Sequence, residues 1–320
     1  MLDMNDSESL DFQHQSVLLK EAVEALAIKT DGFYIDATFG RGGHSSLILE
    51  SLSDIGRLLV IDKDPEAIAH AKEKYANDER VLIWQGSFKD FPDALEDLGV
   101  EQQIDGLLLD LGVSSPQLDD ASRGFSFQRD GALDMRMNPD EGQSAAEWLA
   151  KADGLEIANV LWKYGDERFS KRIARAILKE REISPIDTTL RLASVIAGAI
   201  PKAKQKKGKN PATKSFQAIR IFINKELDDL DVCLQRSIDT LRKNGRIAVI
   251  SFHSLEDRMV KRFFKDKSSK PKLPRGFPVM DEQFKVDLKI IGKPIRASKQ
   301  EIEVNARSRS AIMRIGEKLA

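Results

Sequence analysis

Apolar residues follow two rhythms along this chain. Between residues 17 and 111, short continuous apolar runs alternate with stretches in which apolar residues recur every three or four positions. Val17, Leu18, Val23, Leu26 and Ile28 share one face of a helix over Val17–Ile28. The runs 32–36, 57–62, 80–84 and 104–111 read as strands, and Ser45–Leu52, Pro65–Tyr75 and Phe91–Leu98 as helices. Pro65 suits a first helical turn, where no N–H donor is needed. This alternation predicts an α/β fold, a parallel sheet with helices on both faces.

The rhythm breaks after Asp110. Residues 117–138 are rich in Pro, Gly, Asp and Ser and read as loop. Helical periodicity then takes over at Ala145–Ala150, Leu155–Tyr164, Phe169–Glu180 and Thr188–Ile200, followed by a polar, lysine-rich linker over 201–214. Helix resumes at Phe216–Leu234 and Val232–Leu241, and strands are predicted at Arg246–Ser251 and Ala311–Ile315. The economical organisation is one sheet domain, residues 1–120 and 213–320, interrupted by a helical insert over 121–212. The break follows the carboxyl end of the fourth strand, where open α/β sheets hold ligands, so the insert would wall or cover a site.

Composition narrows the class. The chain has 320 residues, 41% hydrophobic and 32% charged, with a formal charge of −1. It has ample core, and any nucleic-acid contact must come from local basic patches. Cys233 is the single cysteine, which excludes an intrachain disulfide and a cysteine-based zinc site. The acidic, polar stretch Met1–Leu10 is unlike a signal peptide, and the apolar runs are too short to span a bilayer. A cytoplasmic protein is expected, with no membrane partner; a homodimer is left open.

The first strand runs into Asp36-Ala37-Thr38-Phe39-Gly40-Arg41-Gly42-Gly43-His44. A glycine-rich turn between strand and helix lets the backbone approach a cofactor closely. The second strand ends in Asp62, about 20 residues on, the distance at which a carboxylate meets ribose hydroxyls in nucleotide-binding units. An adenosine-containing cofactor is predicted. Ser45 and His44 depart from the dinucleotide pattern, and Asp36 would repel a pyrophosphate but tolerate an ammonium or sulfonium. S-adenosylmethionine carries both cations and no phosphate.

The segment Asp110-Leu111-Gly112-Val113-Ser114-Ser115-Pro116-Gln117 leaves the fourth strand and would face the reactive end of such a cofactor. An aromatic amine is a poor nucleophile until acceptors aimed at its N–H groups localise the lone pair. The hydroxyls and fixed carbonyls of Ser114, Ser115 and Pro116 are the candidates for that task.

The chain resembles the small-subunit (16S) ribosomal RNA cytosine-N4 methyltransferases, the RsmH or MraW family. The resemblance rests on His14–Leu19, Asp36–His44, Asp110–Asp120, Arg123–Phe127, Leu133–Met137, Phe216–Ile221, Ile250–Arg258 and Asn305–Ala311, in order along nearly the whole chain. It implies a class I (Rossmann-like) methyltransferase sheet with a helical insert. It also implies S-adenosylmethionine as donor, S-adenosylhomocysteine as product, and a decoding-site cytidine of 16S rRNA in the small subunit as acceptor. By position, Gly42, Gly43 and His44 would line the cofactor pocket. Asp62 would hold the ribose, Phe88 would flank the adenine, and Asp110 and Gln117 would complete the pocket. Many amino-methyltransferases carry an Asp/Asn/Ser-Pro-Pro-aromatic loop; this chain has Ser115-Pro116-Gln117, with no aromatic in that loop. Phe125 or Phe127 is the candidate to stack the base. Arg136, His253, Lys206 and Lys207 are further substrate-binding candidates. No acid stands between Asp187 and Glu226, while nine lysines and arginines do, and Lys265–Arg275 adds a second basic run. No metal is needed by this chemistry.

Three rival readings remain at this level: a nicotinamide-dependent dehydrogenase, a catalytically silent RNA-binding assembly factor on a methyltransferase scaffold, and a DNA amino-methyltransferase.

Overall fold

A computed structural model of the protein describes residues 16–101, 103–205, 208, 210–270 and 286–319. Four parallel strands come first: β1 (Phe33–Asp36), β2 (Arg57–Asp62), β3 (Val81–Gln85) and β4 (Ile104–Asp110). Between and before them run α1 (Leu19–Leu26), α2 (Gly43–Glu50), α3 (Pro65–Lys74) and α4 (Phe91–Asp97). A short helix, α5 (Ser115–Asp119), follows β4. The helical region holds α6 (Ala145–Lys151), α7 (Gly154–Gly165), α8 (Ser170–Ile183), α9 (Thr189–Ala199) and α10 (Thr213–Asn224). The chain returns to the sheet through α11 (Glu226–Thr240), β5 (Leu241–Ser251) and α12 (Ser254–Lys267). It closes with β6 (Leu288–Ile290), β7 (Ile295–Arg296), α13 (Lys299–Val304) and β8 (Ile312–Lys318).

The strand order is β3-β2-β1-β4-β5-β8-β6, with β7 also pairing β8. Strands β1 to β5 are parallel, and β8 runs antiparallel to β5. The order reverses between β1 and β4, so a crevice opens at their carboxyl ends. Alternate side chains of each strand serve opposite faces. Phe33 and Ile35 join Phe91, Leu234 and Phe264 in one apolar cluster, while Tyr34, Leu58 and Val60 join Leu18, Leu26 and Ile48 in another.

A third cluster, running from Phe125 to Ile221, holds the insert together. Trp148, Leu161, Ile177 and Ile196 sit in it, and so do Phe216 and Ile219 of α10. The sequence placed the return to the sheet at residue 213; the packing places α10 with the insert. Nor is there a continuous helix over Phe216–Leu234. Lys225 takes a left-handed φ of 55° between α10 and α11, and the burial pattern switches partners there. Helix α12, the small strands β6 and β7 and helix α13 had no counterpart in the predicted elements. Among the described residues, no helix is long and apolar enough to cross a membrane.

Candidate active site

The glycine turn after β1 is shaped by steric need at two positions. Gly42 has φ +71°, and a Cβ there would lie 2.4 Å from the Phe39 ring. A Cβ on Gly43 would lie 2.1 Å from Ser16 Oγ. Both glycines therefore let the first turn of α2 seat tightly; neither lines the cavity, whereas Gly40 and Arg41 do. The turn is held from β2: Gly40 N donates to Asp62 Oδ2 at 2.8 Å, and Asp64 N donates to Asp62 Oδ1 at 2.9 Å. Burial pushes the Asp62 carboxyl up to about 6, against the pull of those two N–H groups.

Three acids close three neighbouring strands. Asp36 is buried and accepts from Ser45 Oγ at 2.6 Å, and burial raises its pKa. Asp110 lies 3.8 Å from His44 Nδ1, and burial pushes its carboxyl up to about 7, with His44 pulling down and Asp36 and Glu256 pushing up. Asp110 Oδ1 is buried with no hydrogen-bond partner. His44 Nε2 is 3.1 Å from Val17 O and must donate to that carbonyl, which leaves Nδ1 facing Asp110.

The loop after β4 forms the opposite wall. Ser114 and Gln117 make a capping box: Gln117 Oε1 accepts from Ser114 N at 3.0 Å, and Ser114 Oγ accepts from Gln117 N at 3.5 Å. Gln117 Nε2 donates to Asp64 Oδ2 at 2.8 Å, and Arg123 Nη1 donates to the same oxygen at 2.9 Å. Arg123 is buried, and its Nη2 reaches the carbonyl of Met137 at 2.9 Å. Met137 N in turn donates to Asn224 Oδ1 at 2.7 Å. Asp64 thus ties the acid of β2, the loop after β4 and the insert together through one buried carboxylate. This link crosses long sequence separations, and no local motif announces it.

His44, Asp62, Phe88, Asp110, Ser114, Ser115, Pro116 and Gln117 all line one cavity. Phe125 does not; it is buried in the insert core with the Arg123 guanidinium 6.0 Å from its ring centroid. Phe127 packs edge-on to Phe216 at 4.6 Å. Arg136 is held by Asp134 through bonds of 2.8 and 2.7 Å, away from the cavity lining. His253 caps α12: its Nδ1 accepts from Glu256 N at 3.4 Å, and its Nε2 is 2.9 Å from Glu256 Oε1 without hydrogen-bond alignment. Lys206, Lys207, His14 and most of the 265–275 basic run's second half lie outside the described residues.

Several cavity residues were given no role in the sequence reading: Lys63 and Glu226, and, within motifs quoted for the resemblance, Arg41, Met137, Glu256, Asn305 and Arg307. Glu226 is gripped by Arg220 at 2.8 Å through both oxygens, and Glu256 Oε2 accepts from Phe252 N at 2.8 Å. Ligand atoms of Glu226, His253 and Glu256 lie within 4.8 Å of one another, a spacing a cation could bridge, but Arg220 already neutralises Glu226. Asn305 and Arg307 come from the far end of the chain, where Leu18 N donates to Glu301 Oε1 at 2.8 Å. Both lie in the Asn305–Ala311 motif, which carried the resemblance without a role assigned to either residue.

An open sheet of this order, with an antiparallel strand beside β5, a glycine turn after β1 and a cavity of strand-end acids, defines a class I methyltransferase. The chain belongs to the MraW methylase family, whose match spans residues 11–319. It is similar to the "Ribosomal RNA small subunit methyltransferase H" of Nitrosococcus oceani, 54% identical with 99% of each chain covered. The protein of the same name from Alteromonas mediterranea is 53% identical over 97% of this chain and 98% of that one. Among solved structures, an rRNA methylase from Streptococcus thermophilus superposes with a TM-score of 0.41 and 10% identity, covering 94% of this chain and 95% of that one. The protein is thus an enzyme of methyl transfer, and the dehydrogenase and silent-scaffold readings have no support.

Proposed function

We propose that this enzyme transfers the methyl group of S-adenosylmethionine to the exocyclic N4 amine of a cytidine in the decoding region of 16S rRNA, in the cytoplasm, releasing S-adenosylhomocysteine. The observation that carries the reading is the acid-lined cavity at the β1/β4 crevice of a chain about half identical to relatives named for small-subunit rRNA methylation. The residues fit such a donor. Asp110 Oδ1 is buried without a partner, an acceptor suited to an ammonium. Asp62 and Asp110, which face the cavity, would repel a pyrophosphate when ionised. Bound there, S-adenosylmethionine would supply a methyl group activated by a sulfonium leaving group.

Asp62 would hold the ribose hydroxyls on the lone pairs that Gly40 and Asp64 leave free. Phe88 would offer an apolar ring to the adenine, and Asp110 with His44 would face the methionyl end. Ser114, Ser115 and Pro116 would accept from the target amine, localising its lone pair and aiming it in line. After transfer the nitrogen is far more acidic, so no strong base is required. Gly42 and Gly43 act through the turn rather than by contact. The basic linker with Lys202, Lys204, Lys206 and Lys207 would meet RNA phosphates.

The test is incubation of the enzyme with labelled donor and small subunits lacking the modification, followed by nucleoside analysis. Label in N4-methylcytidine is expected; label in another nucleoside, or none, overturns the reading. Ser115→Ala and Asp110→Ala both leaving transfer unchanged, with cofactor bound, would remove the loop from the account.

A further inference from the structure

We propose that the groove between α8 and α9, on the insert, seats the sugar–phosphate backbone of the RNA substrate as a second contact besides the cavity; this rests on the RNA-methyltransferase reading above. Arg172 and Lys179 of α8 and Arg191, Val195 and Gly198 of α9 line it, with Ile183 at one end.

Charge points to an anion. Helix α8 carries Lys171, Arg172, Arg175 and Lys179, and none of the four has an ion pair among the described residues. Arg123, Arg136 and Arg220 behave otherwise: each is gripped by an acid. Arg172, Arg175 and Lys179 follow the helical spacing that places them on one side of α8. Across the groove Arg191 Nη2 donates to Glu180 Oε1 at 2.8 Å, while its Nε is buried with no partner.

Gly198 points to close approach. It lies in the last turn of α9, ahead of the cap Ile200, and its φ is not positive. A Cβ there would meet nothing within 4 Å, so packing does not call for glycine. Glycine in a helix costs about 0.5 to 1 kcal/mol relative to alanine. The bare position leaves the backbone open to a ribose or phosphate. Ile183, 71% exposed, gives the groove an apolar end of the kind a sugar edge can cover.

The test uses the full chain with Arg172→Glu and Lys179→Glu combined, and separately Gly198→Leu. Binding of protein-free small-subunit RNA is titrated against salt, and methylation of small subunits is followed to saturation. Each lost phosphate contact lowers the slope of log K against log[salt] by about 0.7 to 0.9, so the double variant should lose about 1.5. The KM for small subunits should rise about tenfold, with kcat and cofactor affinity unchanged. Gly198→Leu should raise KM in the same direction without lowering Tm, since leucine is the better helix former. An unchanged salt slope and KM in the double variant would overturn the proposal. So would an equal effect from Lys243→Glu with Lys289→Glu, two exposed cations elsewhere. Lost affinity for assembled subunits alone, with protein-free RNA bound normally, would assign the groove to a ribosomal protein instead. A wild-type enzyme that methylates no RNA would refute the proposed function, whereas wild-type methylation with unaffected variants refutes only the groove.

Discussion

The two halves of the molecule hold their charges in opposite ways. At the sheet mouth, Asp36 and Asp62 are satisfied by hydroxyl and backbone donors, and Asp110 keeps one oxygen unpartnered. In the insert and its approach, Arg123 is buried and Arg220 half-buried, and each is clamped: Arg123 by Asp64, Arg220 by Glu226. Negative charge is thus left available where a cationic cofactor is expected. Positive charge is left available on the outer face of the insert, among other places, where RNA is expected. The lesson is that a near-neutral chain can serve two oppositely charged ligands by choosing which charges to neutralise internally.

The largest effect should come from breaking the joint between the halves. Arg123→Met leaves Asp64 buried beside Gln117 without its cation, and removing one partner of a buried pair costs about 3 to 5 kcal/mol. Chemical denaturation should report that loss, and Asp64→Asn in the same chain should recover part of it. Where the enzyme remains folded, kcat should fall while cofactor affinity changes little, because the joint aligns the loop after β4 rather than Asp62.

Gly42→Ala should break the sheet half alone. The left-handed φ costs about 1 to 2 kcal/mol and the clash with Phe39 a further amount of about 1 to 3 kcal/mol. Cofactor affinity should drop sharply, measured by calorimetry, while amide exchange in α7 to α9 stays as in the parent.

Asp110 gives a pH signature. Its carboxyl, pushed up to about 7, must ionise to face an ammonium. Cofactor affinity should therefore rise with pH up to about 7 and flatten above it. Each pH unit below is worth up to about tenfold, or about 1.4 kcal/mol. The sign for stability is opposite. The folded protein holds this proton more tightly than the unfolded chain, so without cofactor Asp110 makes stability fall as pH rises from about 4 to about 7. Asp110→Asn should flatten both curves.

The smallest effect sharpens the other half. Ser144→Ala removes the capping box of α6 and should cost about 1 kcal/mol. Faster amide exchange in α6, with cofactor affinity unchanged, would mark the insert as separately stabilised.

The sheet was legible because buried parallel strands read as plain apolar runs, and β2 matches its predicted span residue for residue. The ends of β1, β2 and β4 are acids, so the strands also pointed at the cavity. What stayed hidden was set by tertiary contact. The break at Lys225 lies inside an unbroken helical pattern and is fixed by which cluster each side packs on. The core position of Phe125 and the Asp64–Arg123 joint depend on residues far apart in the chain. Segment 117–138 looked like loop and largely is, yet Arg123, Met135 and Met137 pin it by buried and half-buried hydrogen bonds.

Ligand protection tests the cavity most directly. S-adenosylhomocysteine at about a hundredfold excess over its Kd should stabilise the folded enzyme by about 2.7 kcal/mol, a rise in Tm of about 5 °C. NAD at the same concentration should leave Tm unchanged. Protection by NAD, or by neither ligand, would contradict a mouth in which Asp62 and Asp110 select a cationic methyl donor.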